Sequence, residues 1–235
     1  DTLENDREFE NEKFTVQVAN PPYSTKWSAD PKFMEDDRYS PYGKIAQSSK
    51  ADFAFVQHMI YHMDEGDSRI AVLLPHGVLF RGAAEEKIRK YIIKDLNYLD
   101  AVIGLPANCF QGTSIPVCCL VFKKERNGNS DNIFFIDASK EFVPGKAMNY
   151  ITDKHIDKIV NAYIKREEID KYCHKAYMDE IEKNDYNLNI PRYVDTFEEE
   201  EPIDILKVKS DLKEHMKAAE KLDIEIEGFF NELGL

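Results

Sequence analysis

Four consecutive residues, Asn20-Pro21-Pro22-Tyr23, stand directly after the apolar run Phe14–Ala19. By composition, an N-P-P-[YF] tetrapeptide arises in roughly one of several hundred to a thousand chains of this length, so its chemistry is worth reading. An exocyclic amino group conjugated to a purine or pyrimidine ring is a poor nucleophile. Two acceptors aimed at its N–H bonds favour the geometry in which the nitrogen lone pair can attack. The Asn20 side-chain carbonyl is one such acceptor. The Pro21 backbone carbonyl is the other, held because proline fixes its own φ and Pro22 restricts the residue before it. Tyr23 offers a flat face to an extruded base, and such stacking is worth ~1–3 kcal/mol per base, comparable to the few kcal/mol that flipping costs. No ionised base is required, which suits an amide at position 20. Asn and Pro also favour turns, and a plain turn is the competing reading.

Other chemistry-bearing residues read more blandly. His58 and His62 stand at i and i+4, a spacing that can hold a metal, but no neighbouring Glu or third ligand completes a zincin pattern. Two helix-surface histidines are expected, and no metal. His76 follows the apolar run Ile70–Leu74 and reads either as a pocket-lining residue or as a loop histidine. No Ser–His–Asp order and no P-loop is present.

The elements that must position these residues alternate. Phe14–Ala19 reads as a strand. Ser49-Lys50-Ala51-Asp52 has capping-box spacing, and Phe55, Val56, Met59, Ile60 and Met63 then form a helical stripe ending at Gly66. Ile70–Leu74 reads as a strand covered on both faces, Ala83–Ile93 as a helix, and Leu99–Leu105 and Pro116–Phe122 as strands, with Ile133–Ile136 a short last one. Thr152 can cap a helix with Ile156, Ile159, Val160 and Tyr163 on its apolar face. This is the pattern of an α/β open sheet, whose ligands sit at the carboxyl ends of its strands. The link of about ten residues between Leu105 and Pro116 is too short for an easy helical crossover, so an antiparallel edge pair is expected.

From about Asp195 the character changes. DTFEEEEP reads as a charged linker, and Ile205, Leu212, Met216, Ala219, Ile226, Phe230 and Leu233 make a heptad-like seam interrupted by Lys209 and Asp223. The seam belongs either to a terminal helix folded back on its own domain or to a helix offered to a partner. Two domains are expected, residues 1–194 and residues 195–235.

Composition bounds the rest. The 235 residues carry 31 basic and 44 acidic side chains, a formal charge of −13. Autonomous, non-specific nucleic-acid binding needs a basic footprint, so a nucleic-acid substrate would need phosphate affinity from elsewhere. The longest apolar run, Ile115–Phe122, is far short of the ~18–20 residues of a membrane span. Cys109, Cys118, Cys119 and Cys173 form no CxxC pair and read as small buried residues in a reducing cytoplasm. The chain opens on Asp1 without a methionine or signal sequence, and a longer parent is expected.

At NPPY the sequence resembles the amino-methyltransferases that modify adenine N6 in DNA. More closely still, ANPPYSTKW, ADFAFVQHM, VLLPHGVLFRG, AVIGLPANCFQGTSIPV, FFIDAS and NDYNLNIPRYVD resemble segments of the methylation subunit of type I restriction–modification systems, in the same order. The resemblance implies a Rossmann-like S-adenosylmethionine-dependent sheet, here in part, followed by a helical tail. It implies catalytic roles for Asn20, Pro21, Pro22 and Tyr23. Phe110 matches an aromatic that flanks the base in related enzymes, and equally reads as a core residue at a loop end. Thr113 and Ser114 are candidates to touch a phosphate or sugar. Tyr186, Asn187 and Asn189 read as stiffeners of the site's wall or as a hydrogen-bonded loop. The implied partners are double-stranded DNA, a specificity subunit docked on the C-terminal helix, and a restriction subunit.

The family's glycine-rich cofactor turn, which lets the backbone approach S-adenosylmethionine, lies upstream of the tetrapeptide. Only 19 residues precede Asn20, and none forms a G-x-G turn. The chain is therefore expected to be a C-terminal piece without most of the cofactor site, inert alone. Two alternatives stay open: a non-catalytic assembly module, and a methyltransferase acting on glutamine side chains or RNA, which also use N-P-P-Y.

Overall fold

The computed structural model describes residues 1–6, 9–196 and 204–233. The chain divides into two compact units, Asp1–Thr196 and Phe197–Leu235. The first is built on a six-stranded sheet of β1 (Val16–Ala19), β2 (Arg69–Pro75), β3 (Leu99–Gly104), β4 (Val117–Lys123), β5 (Asn132–Asp137) and β6 (Cys173–Tyr177), in the order β1-β2-β4-β3-β5-β6. The pairs β1–β2 and β3–β5 are parallel. The short link after β3 reverses the chain as expected, and β4 pairs antiparallel with β3, Gly104 opposite Cys118. The pair is not at the edge. β4 also runs antiparallel to β2, and the sheet continues past β3 through β5 and β6. The β6 segment CHKAY escapes sequence reading because only Cys173 and Ala176 are buried, too few to make an apolar run.

Period-two alternation divides the core. Val72 and Leu74 of β2, Cys118, Leu120 and Phe122 of β4, Val102 of β3 and Phe135 of β5 share one cluster with α1 (Asp52–Tyr61) and α2 (Ala83–Lys90). Ala101, Ile103, Phe134 and Ile136 face the other way, onto Ile159 and Ala162 of α3 (Asp153–Lys165). Over β1 that second face is open: Val16 and Val18 are 63% and 78% exposed. Adjacent Cys118 and Cys119 point to opposite faces, and all four thiols are free. Burial raises the thiol pKa of Cys118 and pushes that of Cys119 up to about 11. Both therefore stay protonated and behave as small apolar residues.

The helices depart from expectation at their ends. α1 stops at Tyr61, short of Gly66, and its N-cap is Ala51. The capping box does not form, because the Asp52 carboxylate turns inward instead. Thr152 is the N-cap of α3 as expected, its N–H donating to His155 Nδ1 at 3.3 Å. α2 runs on into a π-helical turn, Tyr91–Asp95, and a short α4 spans Met178–Lys183. In the second unit, α5 is an uninterrupted helix, Ile205–Leu233, and Leu212, Met216, Ile226 and Phe230 of the seam are exposed. The linker residues 197–203 lie outside the described residues. No described helix is long and apolar enough to cross a membrane.

Two of the buried charge clusters among the described residues tie distant segments of the first unit together. Asp100, where the β3–β4 register shifts, has no exposed side-chain surface. Its carboxylate accepts from Arg126 Nε at 2.9 Å, Arg166 Nη1 at 3.1 Å and the Tyr163 hydroxyl at 2.5 Å. Burial alone would raise its pKa. The Tyr163 hydroxyl and the two guanidinium groups outweigh this and hold it below the usual carboxylate range.

The second cluster corrects the reading of His58 and His62 as surface residues. His62 is buried, its Nδ1 facing the Glu12 carbonyl at 2.8 Å and its Nε2 facing Asp6 at 2.9 Å. Arg38 donates to His58 Nδ1 at 3.3 Å and to the Thr2 and Leu3 carbonyls at 2.7 and 3.1 Å. It thereby binds the first residues of the chain to α1. Burial, then the neighbouring His62 and Arg38, push the His58 pKa down to about 4.

Two outcomes follow. Asp100→Ala leaves two buried guanidinium groups without their shared anion and should lower unfolding free energy by about 3–5 kcal/mol in urea titration. Folded His58 is neutral while unfolded histidine titrates near 6.5, so between about pH 6.5 and 4 the unfolded chain binds the extra proton. Stability should be full above that window and fall through it as pH drops, by about 3 kcal/mol in all. His58→Gln should flatten that part of the stability–pH curve.

Candidate active site

Asn20 follows immediately on the last residue of β1, at the rim where the parallel strands end. Its side chain is exposed, as a group meant to meet a ligand must be. The Tyr23 hydroxyl donates to Asn20 Oδ1 at 2.7 Å. Burial, then the nearby Cys118 thiol, keep the Tyr23 phenol above its ordinary pKa, so it remains a donor. No described residue donates to the Pro21 carbonyl.

β4 starts at the same rim because it runs against its neighbours. The loop entering it therefore stays beside Asn20. Asn20, Pro21, Pro22, Tyr23 and Ser24 on one side, with Phe110, Gln111, Gly112, Thr113 and Ile115 on the other, line a single cleft of about 520 Å³. The loop is a tight turn: Phe110 and Thr113 form an antiparallel bridge, and Gly112 between them has φ +78°, a conformation that favours glycine. Phe110 faces this cleft and is half-exposed, not a core residue. Thr113 Oγ1 accepts from the Ile115 N–H at 3.3 Å, so the threonine also shapes the turn.

Two candidates fall outside the lining. Ser114 is exposed on the turn but does not line the cleft. His76 sits at the end of β2 and its Nε2–H donates to the Val117 carbonyl at 3.0 Å, clamping the end of β2 to the start of β4. Burial lowers its pKa, against the Val117 carbonyl and Asp137, which favour the cation. Gln111, Gly112 and Ile115 are lining residues that sequence reading did not single out. Gly112 alone carried a signal, as the one glycine of a link between two strands.

Behind the cleft, Ser24 has a left-handed backbone, φ +49°. Its N–H donates to Asp52 Oδ1 at 2.7 Å. Asp52 in turn receives Arg81 Nη1 at 2.8 Å, and Arg81 also reaches Glu85 at 3.0 Å. Neither carboxylate has exposed side-chain surface. Burial raises the Glu85 pKa, opposed by Arg81 and aided by Asp52. Nothing in the sequence separated Asp52 from an ordinary first-turn carboxylate, and so this group was missed.

The Tyr186–Tyr193 segment is a hydrogen-bonded loop. Arg89 Nε donates to the Tyr186 carbonyl at 2.8 Å, Asn187 Oδ1 accepts from the Asn189 N–H at 3.0 Å, and Leu188 N–H reaches the Leu79 carbonyl at 2.8 Å. It packs behind the rim and reaches no cleft residue in these contacts.

Among the described residues, Asp6, His58 and His62 could hold a metal by distance. Arg38, 3.5 Å from the Asp6 carboxylate and 3.3 Å from His58, already supplies the positive charge there.

Comparison with known proteins identifies the family. The model of the N-6 DNA methylase family matches residues 1–202. The chain is 37% identical over 222 residues to the type I restriction enzyme MpnII methylase subunit of Mycoplasma pneumoniae, covering 94% of this chain and 40% of that protein. It is 33% identical to the MjaVIII methylase subunit of Methanocaldococcus jannaschii, covering 92% of this chain and 38% of that one. The crystal structure of a type I restriction-modification methyltransferase subunit from Streptococcus thermophilus superposes with a TM-score of 0.80 at 55% identity, over 84% of this chain and 41% of that one. The chain thus spans about 40% of the length of the curated relatives it matches. With the family match running through the sheet, both walls of the cleft and the loop behind it, the chain belongs to the N-6 DNA methylase family.

Proposed function

We propose that this chain is the substrate-gripping part of a type I modification methyltransferase that transfers a methyl group from S-adenosylmethionine to N6 of an adenine flipped out of double-stranded DNA. The observation that carries the reading is the single cleft in which Asn20–Tyr23, at the end of β1, faces the Phe110–Ile115 loop. A flipped base enters this cleft with its amino group toward Asn20. The Tyr23 hydroxyl yields Asn20 Oδ1, and that oxygen and the Pro21 carbonyl take the two N–H bonds. Tyr23 and Phe110 are the flat side chains that stack on the base, together offsetting the few kcal/mol of flipping. Thr113 and Ser114 lie on the turn that borders a phosphate path.

S-adenosylmethionine supplies the methyl group when bound. The residues of this chain do not by themselves form its cradle. No glycine-rich turn occurs in the 19 residues before Asn20. β1 is the outer strand of the sheet, with its Val16–Val18 face uncovered. An apolar groove of about 460 Å³ beside it, lined by Phe9, Phe14, Val16, Val18 and Met59 among others, supports the reading that further structure packs there. Residues 1–194 are read as part of a catalytic domain, inert alone, in keeping with a chain that spans about 40% of the length of its curated relatives.

The formal charge of −13 also assigns DNA affinity elsewhere. A specificity subunit supplies target recognition, a restriction subunit joins for cleavage, and residues 195–235 are a linker and docking helix. The complete protein acts in the cytoplasm. The exposed seam of α5, a 29-residue helix, supports the docking role.

Four outcomes test this. The full native protein with its partner subunits should methylate adenine in duplex DNA, and Asn20→Ala should reduce transfer about 100-fold or more, as expected when one preorganised hydrogen-bonding group is removed. The isolated chain should transfer nothing. Tritiated methyl incorporation reads all three, and transfer to RNA or to glutamine without transfer to DNA would replace the reading. For the helix, Leu212→Asp with Ile226→Asp should abolish co-purification of the specificity subunit, and unchanged assembly would remove the docking role.

A further inference from the structure

The segment Pro75–Gly82 (PHGVLFRG) lines no wall of the cleft, yet it is built around one side chain. The Phe80 and Arg81 N–H groups both donate to the Gly77 carbonyl, at 3.2 and 3.0 Å, folding the turn after β2 back on itself. A Cβ at Gly77 would fall directly on the Arg81 guanidinium, so glycine is required there for Arg81 to lie where it does. The Arg81 carbonyl is fixed from behind by Arg89 Nη1 at 3.0 Å. The guanidinium so placed spans two carboxylates with no exposed surface, Asp52 and Glu85, and lies 3.4 Å from Ser24 Oγ.

The far end of this chain of contacts is the residue after Tyr23. Ser24 has φ +49°, a conformation that an L-residue other than Gly adopts at a cost. Asp52 stabilises it twice, accepting the Ser24 N–H at 2.7 Å and its hydroxyl at 3.3 Å. The left-handed turn at Ser24 decides the direction in which the chain leaves Tyr23, and hence where Asn20 to Tyr23 can sit. Arg81 offsets the buried charge of Asp52 and holds its Oδ2 at 2.8 Å. Lys50 and Cys118 are the other titratable groups electrostatically tied to these carboxylates.

From this geometry we infer that Asp52, oriented by Arg81, is the positioning residue of the methylation site. It locks the Asn20–Tyr23 loop in its working shape by holding Ser24 left-handed, and touches neither the base nor the methyl donor. The inference deepens the proposed reaction and rests on it for its kinetic part.

The test uses the full native protein with its partner subunits. Asp52→Asn should lower kcat for adenine methylation at least tenfold while KM for S-adenosylmethionine stays within about twofold. Hydrogen exchange over residues 19–27 should rise at least tenfold at the Ser24 amide. Glycine adopts the left-handed backbone freely. In a Ser24→Gly background, Asp52→Asn should therefore cost less than a third of the fold-change in kcat that it costs alone. Arg81→Lys, which keeps the charge but not the fork, should give an intermediate loss and serves where Asp52→Asn does not fold. Unchanged turnover and exchange in Asp52→Asn would overturn the inference. So would a loss matched in KM for S-adenosylmethionine and untouched by Ser24→Gly, which would make the pair a core ion pair only. If the unmodified protein methylates no adenine but the exchange at Ser24 rises as stated, the proposed reaction falls and the lock stands.

Discussion

Everything at the rim depends on the reversal of one strand. β4 lies between β2 and β3 and runs against both. A parallel strand in that place would need a crossover of a dozen or more residues that carries the chain to the opposite rim. The short link after β3 instead keeps residues 105–116 at the rim where β1, β2, β3 and β5 end. The Phe110–Ile115 turn therefore has no choice but to face Asn20 across the cleft. His76 reinforces the arrangement by tying the end of β2 to the start of β4. A residue that sequence position places near a pocket thus acts as a brace, because its ring is already committed to a backbone carbonyl.

The second requirement is rigidity in a loop of prolines and small residues that buries little apolar surface. Hydrophobic contact is non-directional and cannot fix a backbone angle. Charge-assisted hydrogen bonds can, and they strengthen as water is excluded. The support behind the tetrapeptide is accordingly polar and layered. Arg89, almost wholly buried, joins the Tyr186 carbonyl, the Val78 carbonyl and the Arg81 carbonyl. Arg81 then holds Asp52, and Asp52 holds Ser24. The Tyr186–Tyr193 loop, which reaches no cleft residue in these contacts, is the outermost layer of the same support.

This division explains what sequence reading could and could not see. The strands β2, β3, β4 and β5 were legible because apolar runs of strand length are the primary signal, and the tetrapeptide because its residue types have a use at a strand's end. The antiparallel turn followed from loop length alone. β6 was not legible, since an edge strand burying two of five residues has no apolar pattern. The polar support failed for a different reason. Asp52 occupies a position where Ser49-Lys50-Ala51-Asp52 gives a satisfactory local account, and only burial distinguishes a carboxylate that caps its own helix from one that faces a distant turn. His58 and His62 failed likewise: their spacing showed one helix face, but not that Asp6, Glu12 and Arg38 close over it. Local pattern identifies elements and rims, whereas long-range polar contacts are properties of the folded chain.

In the proposed reaction a methyl donor and a base share one exposed loop. β1 is the outer strand, and among the described residues its outer edge pairs with no strand and its Val16 and Val18 side chains are exposed. In that proposed reaction a base held by the cleft lies on the inner side of Asn20, and Asn20 and Pro21 form the seam at which it meets a methyl donor held by other residues. Such a seam tolerates little backbone play, because a nitrogen held by two acceptors must also meet a carbon held by other residues. A shift of one ångström in such a geometry costs about two orders of magnitude in rate. That demand gives a physical reason for the Asn20–Tyr23 loop, which buries little apolar surface, to be held by a buried carboxylate, Asp52, rather than left to the prolines alone.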